Sequence, residues 1–313
     1  MMNYLVMRRG MKLACAVAAA SALVFSMSAC GNASSSDKVA LLVSTLNNPF
    51  FVDLRDGAQA EAKKLGVDLQ VSDAQNDSSK QQDQAQNAQS QGAKAVIINP
   101  VDSDAAGPAV APLLSSGMPV ISVDRSVTGE KVTSHIASDN VAGGAQAADA
   151  LAKSMGEKGE VLILQGIPGA ASTRDRGKGF KDRIKKYPNI KVVAEQTANF
   201  DRAEALNVAT NLLQSHPNAA GIYAENDEMA LGAIQSLGAK AGKDVKVVGF
   251  DGTADGMKAI KAGTMAGTIA QQPKELGRSA VAAAVKAIKK QTVPKTEPIT
   301  VKTVTAKNVA DFE

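Results

Sequence analysis

Short apolar runs recur along this chain and are separated by longer amphipathic or polar segments. Runs such as Val39–Val43 and Ala95–Ile98 are typical of strands that are buried on both faces of a sheet. Further strands are predicted at 67–71, 119–123, 131–137, 160–164, 191–195, 220–223, 245–249, 266–270 and 300–305. Helices are predicted at 52–62, 79–91, 105–115, 141–154, 172–186, 202–215, 227–237, 255–262 and 274–290.

The alternation of strands and helices predicts an α/β protein with parallel sheets and right-handed crossovers. Because the strands are too many for one comfortable sheet, we expect two lobes. The pattern restarts near Ser138–Asn140, where Asp139 or Asn140 can cap the following helix. No Pro/Gly-rich linker marks this break, so composition alone defines it poorly.

The first 29 residues have the features of an export signal. Arg8, Arg9 and Lys12 form a positive region, and the short apolar segment 13–24 follows. The run 27–31 resembles a bacterial lipobox, although such motifs usually carry Leu at the position of its first residue, Met. We therefore expect residues 1–29 to be removed, Cys30 to carry a lipid, and residues 30–37 to form a tether. The protein would be anchored on the extracytoplasmic face of the membrane; cleavage elsewhere, with ordinary secretion, is the alternative.

Composition excludes several classes of function. Without the signal, 32 basic residues face 31 acidic ones, and this balance does not favour nucleic acid. The chain has two histidines and no cysteine after Cys30, so it predicts neither disulfides, nor a metal site, nor cysteine catalysis. It also lacks a phosphate-binding loop, and no cofactor is expected. A hydrolase using Asp124 and Asp251 is an alternative, but both carboxylates suit the acceptance of hydrogen bonds from hydroxyl groups better.

Polar and aromatic side chains follow the predicted strands at their carboxyl ends, where ligands bind in open α/β sheets. Each has a structural alternative as a helix cap, a turn or a core residue, but their shared position favours a common site. The chain has seven Phe and no Trp, and four of the Phe stand at strand ends. Aromatic faces beside charged and amide groups suit a sugar. The candidates are Ser44, Asn48, Phe50, Phe51, Asp124, Arg125, Arg176, Phe200, Asn226, Phe250, Asp251 and Gln271.

Several longer motifs resemble those of bacterial ribose-binding proteins, the substrate-binding subunits of sugar ABC importers in the type I periplasmic binding protein family. These motifs are at 44–51, 98–100, 124–125, 134–140, 226–233 and 247–253. The resemblance implies two Rossmann-like lobes with parallel sheets, joined by a three-strand hinge. The amino-terminal lobe would hold 38–138 and 271–300, and the other lobe 139–270 and 301–313.

The resemblance also implies the role of each candidate. Phe50, Phe51 and Phe200 would sandwich the sugar ring, with Phe250 as a further ring contact. Hydroxyl groups would be bound from the first lobe by Asn48, Asp124 and Arg125, with Ser44 nearby, and from the second lobe and hinge by Arg176, Asn226, Asp251 and Gln271.

The implied ligand is D-ribose; allose, another pentose or a cyclised signalling sugar is the alternative. The implied partner is the permease of an ABC importer, and the expected protein is a monomer that is not an enzyme. A repressor with the same fold would need an N-terminal DNA-binding motif, and the signal occupies that place.

Overall fold

The computed structural model describes residues 36–312. The predicted signal 1–29, the lipidated Cys30 and most of the tether lie outside the described residues. The strands are β1 (Lys38–Val43), β2 (Asp68–Asp73), β3 (Ala95–Ile98), β4 (Val120–Val123), β5 (Ser134–Ser138), β6 (Lys158–Gln165), β7 (Asn189–Thr197), β8 (Ala219–Ala224), β9 (Lys246–Asp251), β10 (Gly267–Ala270), β11 (Thr296–Ile299) and β12 (Lys302–Thr305). The helices are α1 (Pro49–Leu65), α2 (Ser78–Ser90), α3 (Ala106–Ser115), α4 (Asn140–Ser154), α5 (Ala171–Ile184), α6 (Arg202–Ser215), α7 (Asp227–Leu237), α8 (Ala254–Lys261) and α9 (Pro273–Ile288).

The strands form two six-stranded sheets, in the orders β11-β5-β4-β3-β1-β2 and β12-β10-β9-β8-β6-β7. All neighbouring strands are parallel except β10 and β12, which are antiparallel. Helices α1, α2, α3 and α9 pack around the first sheet, and α4 to α8 pack around the second. These two layered units are called the first and second lobes below, and the predicted fold class is confirmed.

The chain passes from one sheet to the other three times: between β5 and α4, between β10 and α9, and between β11 and β12. The first of these passages lies at the break that was placed near Ser138–Asn140. The assignment of 38–138 with 271–300 and of 139–270 with 301–313 to separate lobes stays a prediction, and the sheet order is the observation that supports it.

The carboxyl-terminal part of the fold differs from the sequence pattern. The strand predicted at 300–305 begins at Lys302, and a separate strand, β11, precedes it. Pro298 lies within β11, and proline removes a donor from the strand ladder, which argues against a strand in a sequence. The structure places β11 at the edge of the first sheet, where a missing N–H is tolerated.

Glycines bring two pairs of helices into backbone contact. A Cβ on Gly144 of α4 would lie 2.1 Å from the carbonyl oxygen of Arg176 in α5, and one on Gly179 would lie 2.0 Å from that of Val141. In the first lobe, a Cβ on Gly277 of α9 would lie 2.0 Å from the carbonyl oxygen of Leu54 in α1. Glycine costs a helix about 1 kcal/mol relative to alanine, but here it allows one pair of helices in each lobe to pack closely.

Within residues 36–312, no helix is both long enough and apolar enough to cross a membrane.

Candidate functional site

A narrow cavity lies between the carboxyl ends of the two sheets. Nine of the twelve predicted site residues line it, together with Ser172, which the sequence did not single out. The lining residues are Asn48, Phe50, Phe51, Asp124, Arg125, Ser172, Arg176, Phe200, Asn226 and Asp251.

The start of α1 presents two aromatic rings to the cavity. The helix begins at Pro49, three residues earlier than predicted, because the side chain of Asn48 accepts a hydrogen bond from the N–H of Phe50 (2.9 Å). Phe50 and Phe51 are both 4% exposed, and their rings meet edge to face with centroids 5.0 Å apart. Asn48 therefore caps the helix as well as lining the cavity.

Asp124 and Arg125 follow β4 and lie buried at the first-lobe side of the cavity. Asp124 has a backbone φ of 65°, a left-handed conformation that non-glycine residues rarely adopt. One of its carboxylate oxygens accepts a hydrogen bond from Asn99 Nδ2 (3.1 Å); the other has no hydrogen-bond partner among the described residues. Such a buried acceptor is costly unless a ligand donates to it.

The guanidinium group of Arg125 lies between aromatic rings of the two lobes. Its carbon is 5.4 Å from the ring centroids of both Phe51 and Phe200. Nη1 donates to the carbonyl oxygens of Pro100 (3.0 Å) and Val101 (3.3 Å), whereas the buried Nε has no hydrogen-bond partner in the part of the chain that the structure describes. Burial lowers the pKa of Arg125 to about 10, so the side chain stays charged at neutral pH.

Phe200 brings the second lobe's aromatic face to the cavity. Its φ is 61°, and a Cβ on Gly166 would lie 2.1 Å from its ring, so only glycine leaves room for it. Asn226 supports this residue: its Nδ2 donates to the carbonyl oxygen of Phe200 (3.3 Å), and its Oδ1 caps α7 by accepting from Met229 N (2.9 Å). Asn226 therefore also caps a helix, which was the structural alternative to a role in binding.

Arg176 contacts several polar residues on the second-lobe side of the cavity. Its Nε donates to Asn140 Oδ1 (2.8 Å), and its Nη1 donates to the carbonyl oxygen of Glu225 (2.7 Å). Nη1 also lies 3.6 Å from a carboxylate oxygen of Asp251. Phe250 is fully buried and does not line the cavity; its ring centroid lies 3.9 Å from the guanidinium carbon of Arg176. The structure therefore places Phe250 behind Arg176, as its support.

Asp251 and Gln271 close the hinge side of the site. Gln271 Nε2 donates to Asp251 Oδ1 (2.7 Å), and Gln271 Oε1 is buried without a hydrogen-bond partner among residues 36–312. Gln271 lines an adjoining cavity that shares Phe50 and Asp251 with the first. Ser44 is fully buried outside both cavities, and its N–H donates to Asn99 Oδ1 (3.2 Å).

A sequence model described as "periplasmic binding protein domain" matches residues 39–292, most of the chain. The protein belongs to this family. The chain is also 48% identical to the ribose import binding protein RbsB of Escherichia coli over 284 residues, which are 91% of this chain and 96% of that protein. The protein of the same description in Bacillus subtilis is 46% identical over 79% of this chain and 80% of its own length.

Solved structures of this periplasmic binding protein family superpose closely. The Caulobacter myo-inositol binding protein, bound to myo-inositol, is 39% identical with a TM-score of 0.83, and the match covers 88% of this chain and 95% of that one. A periplasmic solute binding protein from Actinobacillus succinogenes, bound to D-allose, is 35% identical with a TM-score of 0.83, over 88% and 100% of the two chains.

Sequence reasoning missed residues that hold the predicted ones in place. Asn99, within the motif at 98–100, orients Asp124, and it was not singled out. Asp139 caps α4 by accepting from Ala142 N (2.9 Å), which leaves Asn140 free to accept from Arg176. Glu225 contacts Arg176 through its backbone oxygen, and no sequence pattern signals such a contact. In residues 36–312, no group of three or more acidic, His or Cys side chains is placed to hold a metal ion.

Burial raises the pKa of three carboxyl groups in the second lobe. The pKa of Glu225 and that of Asp251 are each raised to about 8, and that of Asp227 to about 6. For Asp251, the loss of hydration outweighs the favourable charge of Arg176. The folded protein therefore retains protons on these groups at pH values where the unfolded chain has lost them.

The sugar-free protein should lose stability as the pH rises. Carboxyl groups of the unfolded chain ionise near pH 4. The stability that these groups contribute is therefore fully present below pH 4, and it is lost as the pH rises to about 6 for Asp227 and about 8 for Glu225 and Asp251. Between these limits, each group lowers the free energy of unfolding by up to about 1.4 kcal/mol per pH unit. We expect thermal unfolding at a lower temperature at pH 8.5 than at pH 5. Glu225→Gln should flatten this decline; an equally steep decline in that variant would contradict the assignment.

Proposed function

We propose that this protein captures D-ribose between its two lobes, outside the cytoplasm, and delivers it to the permease of an ABC importer. The observation that carries the proposal is the cavity between the sheets. In it, aromatic rings of both lobes accompany two buried charged groups, Asp124 and Arg125, and one atom of each has no hydrogen-bond partner in the described chain. Identity of 46–48% to ribose import binding proteins supports the choice of sugar.

The arrangement supports a clamp rather than a catalyst. Phe51 and Asp124 belong to the first lobe, and Phe200 and Arg176 to the second, so a sugar contacts the full set only when the lobes are together. It then stabilises the closed form by its differential affinity for the two forms. Asp124 and Asp251 each lie beside an arginine and each accept a hydrogen bond from an amide side chain, which supports a role in binding hydroxyl groups and not in hydrolysis.

The remaining parts of the proposal rest on the sequence. The lipobox-like run at 27–31 supports a lipid anchor at Cys30, with the protein held to the membrane by the lipid alone. The protein acts as a monomer that binds neither nucleic acid, nor a metal, nor a cofactor. All twelve predicted site residues keep their assigned roles except Phe250, for which we propose support of Arg176.

A second candidate ligand is D-allose. The D-allose-binding periplasmic protein of Escherichia coli is 38% identical over 250 residues, which are 76% of this chain and 80% of that protein. Ribose is favoured because the proteins named for it are more similar to this chain over more of its length.

The test is calorimetric titration of the purified protein with D-ribose, D-allose, D-galactose, D-glucose and L-arabinose, together with thermal unfolding in each sugar. A ligand at about 100 times its dissociation constant adds about 2.7 kcal/mol of stability, so we expect a clear rise of the unfolding temperature with D-ribose. Tighter binding of D-allose than of D-ribose would make D-allose the proposed substrate and would leave the proposed clamp mechanism unchanged. Binding of none of these sugars would refute the proposal.

A further inference from the structure

Helix α5, which carries Arg176 and Ser172 to the cavity, lacks a cap from its own lobe. The residue at its cap position is Ala170, which offers no side-chain oxygen, and its first turn has no acidic residue. Among the described helices, α1, α2, α4, α6, α7 and α8 each have a capping side chain at that position. An uncapped helix leaves N–H donors at its start that need another partner.

The missing cap comes from the opposite lobe. Ser103, in the loop between β3 and α3 of the first lobe, accepts a hydrogen bond through its Oγ from the N–H of Ala171 (3.1 Å). The N–H of Ser103 donates in turn to the carbonyl oxygen of Gly169 (2.9 Å). Ser103 is fully buried, and its own carbonyl oxygen accepts from Thr128 N (2.8 Å). Two hydrogen bonds thus join the lobes here, one at the first residue of α5 and one in the turn before it.

The two lobes approach each other closely at this contact. A Cβ on Gly169 would lie 1.8 Å from a carboxylate oxygen of Asp102. The other carboxylate oxygen of Asp102 already accepts from the N–H groups of Asp104 and Ala105 (2.8 Å each), so the side chain has little freedom to move aside. The contact therefore depends on the two lobes being together, and separating them would expose Ala171 N–H to water.

The loop that carries Ser103 also fixes the first-lobe part of the cavity. Gln81 of α2 holds it from behind, donating to the carbonyl oxygen of Asn99 and accepting from Val101 N (2.9 Å each). Arg125 donates to two carbonyl oxygens of the same loop, and the side chain of Asn99 donates to Asp124. One short segment, 99–103, thereby connects the charged pair of the first lobe to the helix of Arg176.

We propose that Ser103 is a positioning residue for sugar binding, which completes the N-terminal cap of α5 only when the lobes are together. It orders the helix that carries Arg176 and stabilises the sugar-bound form without touching the sugar. The inference rests on the proposed function, since its effect is read as sugar affinity.

The first variant is Ser103→Ala, studied by calorimetry and by stopped-flow measurement of sugar dissociation. Loss of a helix cap typically corresponds to about a fivefold change in an equilibrium constant. We expect the dissociation constant for D-ribose to rise about fivefold, through faster dissociation with an unchanged association rate. The matched control is Asp77→Ala, which removes the cap of α2 within one lobe. It should lower the unfolding temperature and leave the affinity unchanged.

A second variant, Ala171→Pro, tests whether Ser103 acts through the N–H of Ala171. Proline suits the first position of a helix, as Pro49 and Pro273 show in α1 and α9, and it removes the donor. Ala170 has φ −80° and ψ 130°, the extended conformation that a following proline prefers. In the Ala171→Pro background, Ser103→Ala should therefore change the dissociation constant by less than twofold.

Three results separate the conclusions. Unchanged affinity and dissociation rate in Ser103→Ala, with D-ribose binding intact in the unaltered protein, would overturn the inference alone. An equal loss of affinity with and without Ala171→Pro would also overturn it, because Ser103 would then act by another route. Absence of sugar binding in the unaltered protein would refute the proposed function and the role of Ser103 with it. If the unaltered protein binds another sugar instead, the same measurements are made with that sugar.

Discussion

Arg176→Ala is expected to weaken sugar binding by roughly a hundredfold or more. A guanidinium group that forms two charge-assisted hydrogen bonds to hydroxyl groups contributes about 1.5–3 kcal/mol through each. The change also leaves two buried acceptors of Arg176, Asn140 Oδ1 and the carbonyl oxygen of Glu225, without their donor. A buried acceptor left without a partner costs about 1–3 kcal/mol, so the free energy of unfolding should also fall. Calorimetry and denaturant unfolding measure the two effects.

The control for Arg176→Ala lies on the same helix. Arg183 of α5 forms a two-point ion pair with Asp149 of α4 (2.6 and 2.8 Å) on a partly exposed face, away from the cavity. Arg183→Ala should keep the sugar affinity and lose little stability. Retained affinity in Arg176→Ala would remove this residue from the site.

Gly144→Val is expected to abolish sugar binding from a position that no sugar could touch. The added Cβ would lie 2.1 Å from the carbonyl oxygen of Arg176 and 2.9 Å from Phe180 N, so α4 and α5 must separate. That separation displaces Arg176 from Asn140, which belongs to α4. Overpacking of this kind costs about 1–3 kcal/mol, and the two added methyl groups should bring the loss to the upper end of that range. Thermal unfolding and sugar titration measure the two effects.

Lys153→Val is the matched control for the glycine change. Lys153 is an exposed residue of the same helix, α4, so valine there carries the lower helix propensity without any steric conflict. We expect a loss of stability of about 0.5 kcal/mol and no change in sugar affinity. If Gly144→Val behaved like Lys153→Val, the close approach of α4 and α5 would not matter for binding.

Much of the fold could be predicted from local patterns. Buried strands such as β1 and β3 are continuous apolar runs, and most helix boundaries lie within a few residues of their predicted places. β11 was missed because its run, with Glu297 and Pro298, has no local strand signal. It forms because β5 offers it a parallel edge, and that partner is more than 150 residues away in the chain.

Most residues of the candidate site could be predicted from the sequence, but their arrangement could not. Strand ends of parallel sheets meet at one edge, so polar and aromatic residues there were expected to gather, and nine of twelve line one cavity. The positive φ of Asp124, Phe200 and Asp251 was not predicted, because none of the three is a glycine, the residue type that signals such a backbone conformation in a sequence. The burial of Phe250 behind Arg176 depends likewise on how α4 and α5 pack.

Local sequence patterns and contacts between distant segments thus determine different features of this protein. The sequence by itself determined the order of strands and helices, the class of fold and the residue types at the strand ends. These follow from hydrophobic periodicity and from where each strand ends, which are local properties of the chain. Only the tertiary structure decided which of those residues face the cavity, which ones support them, and that Ser103 caps a helix of the opposite lobe. These depend on distances between segments far apart in the chain, which packing of the whole fold sets.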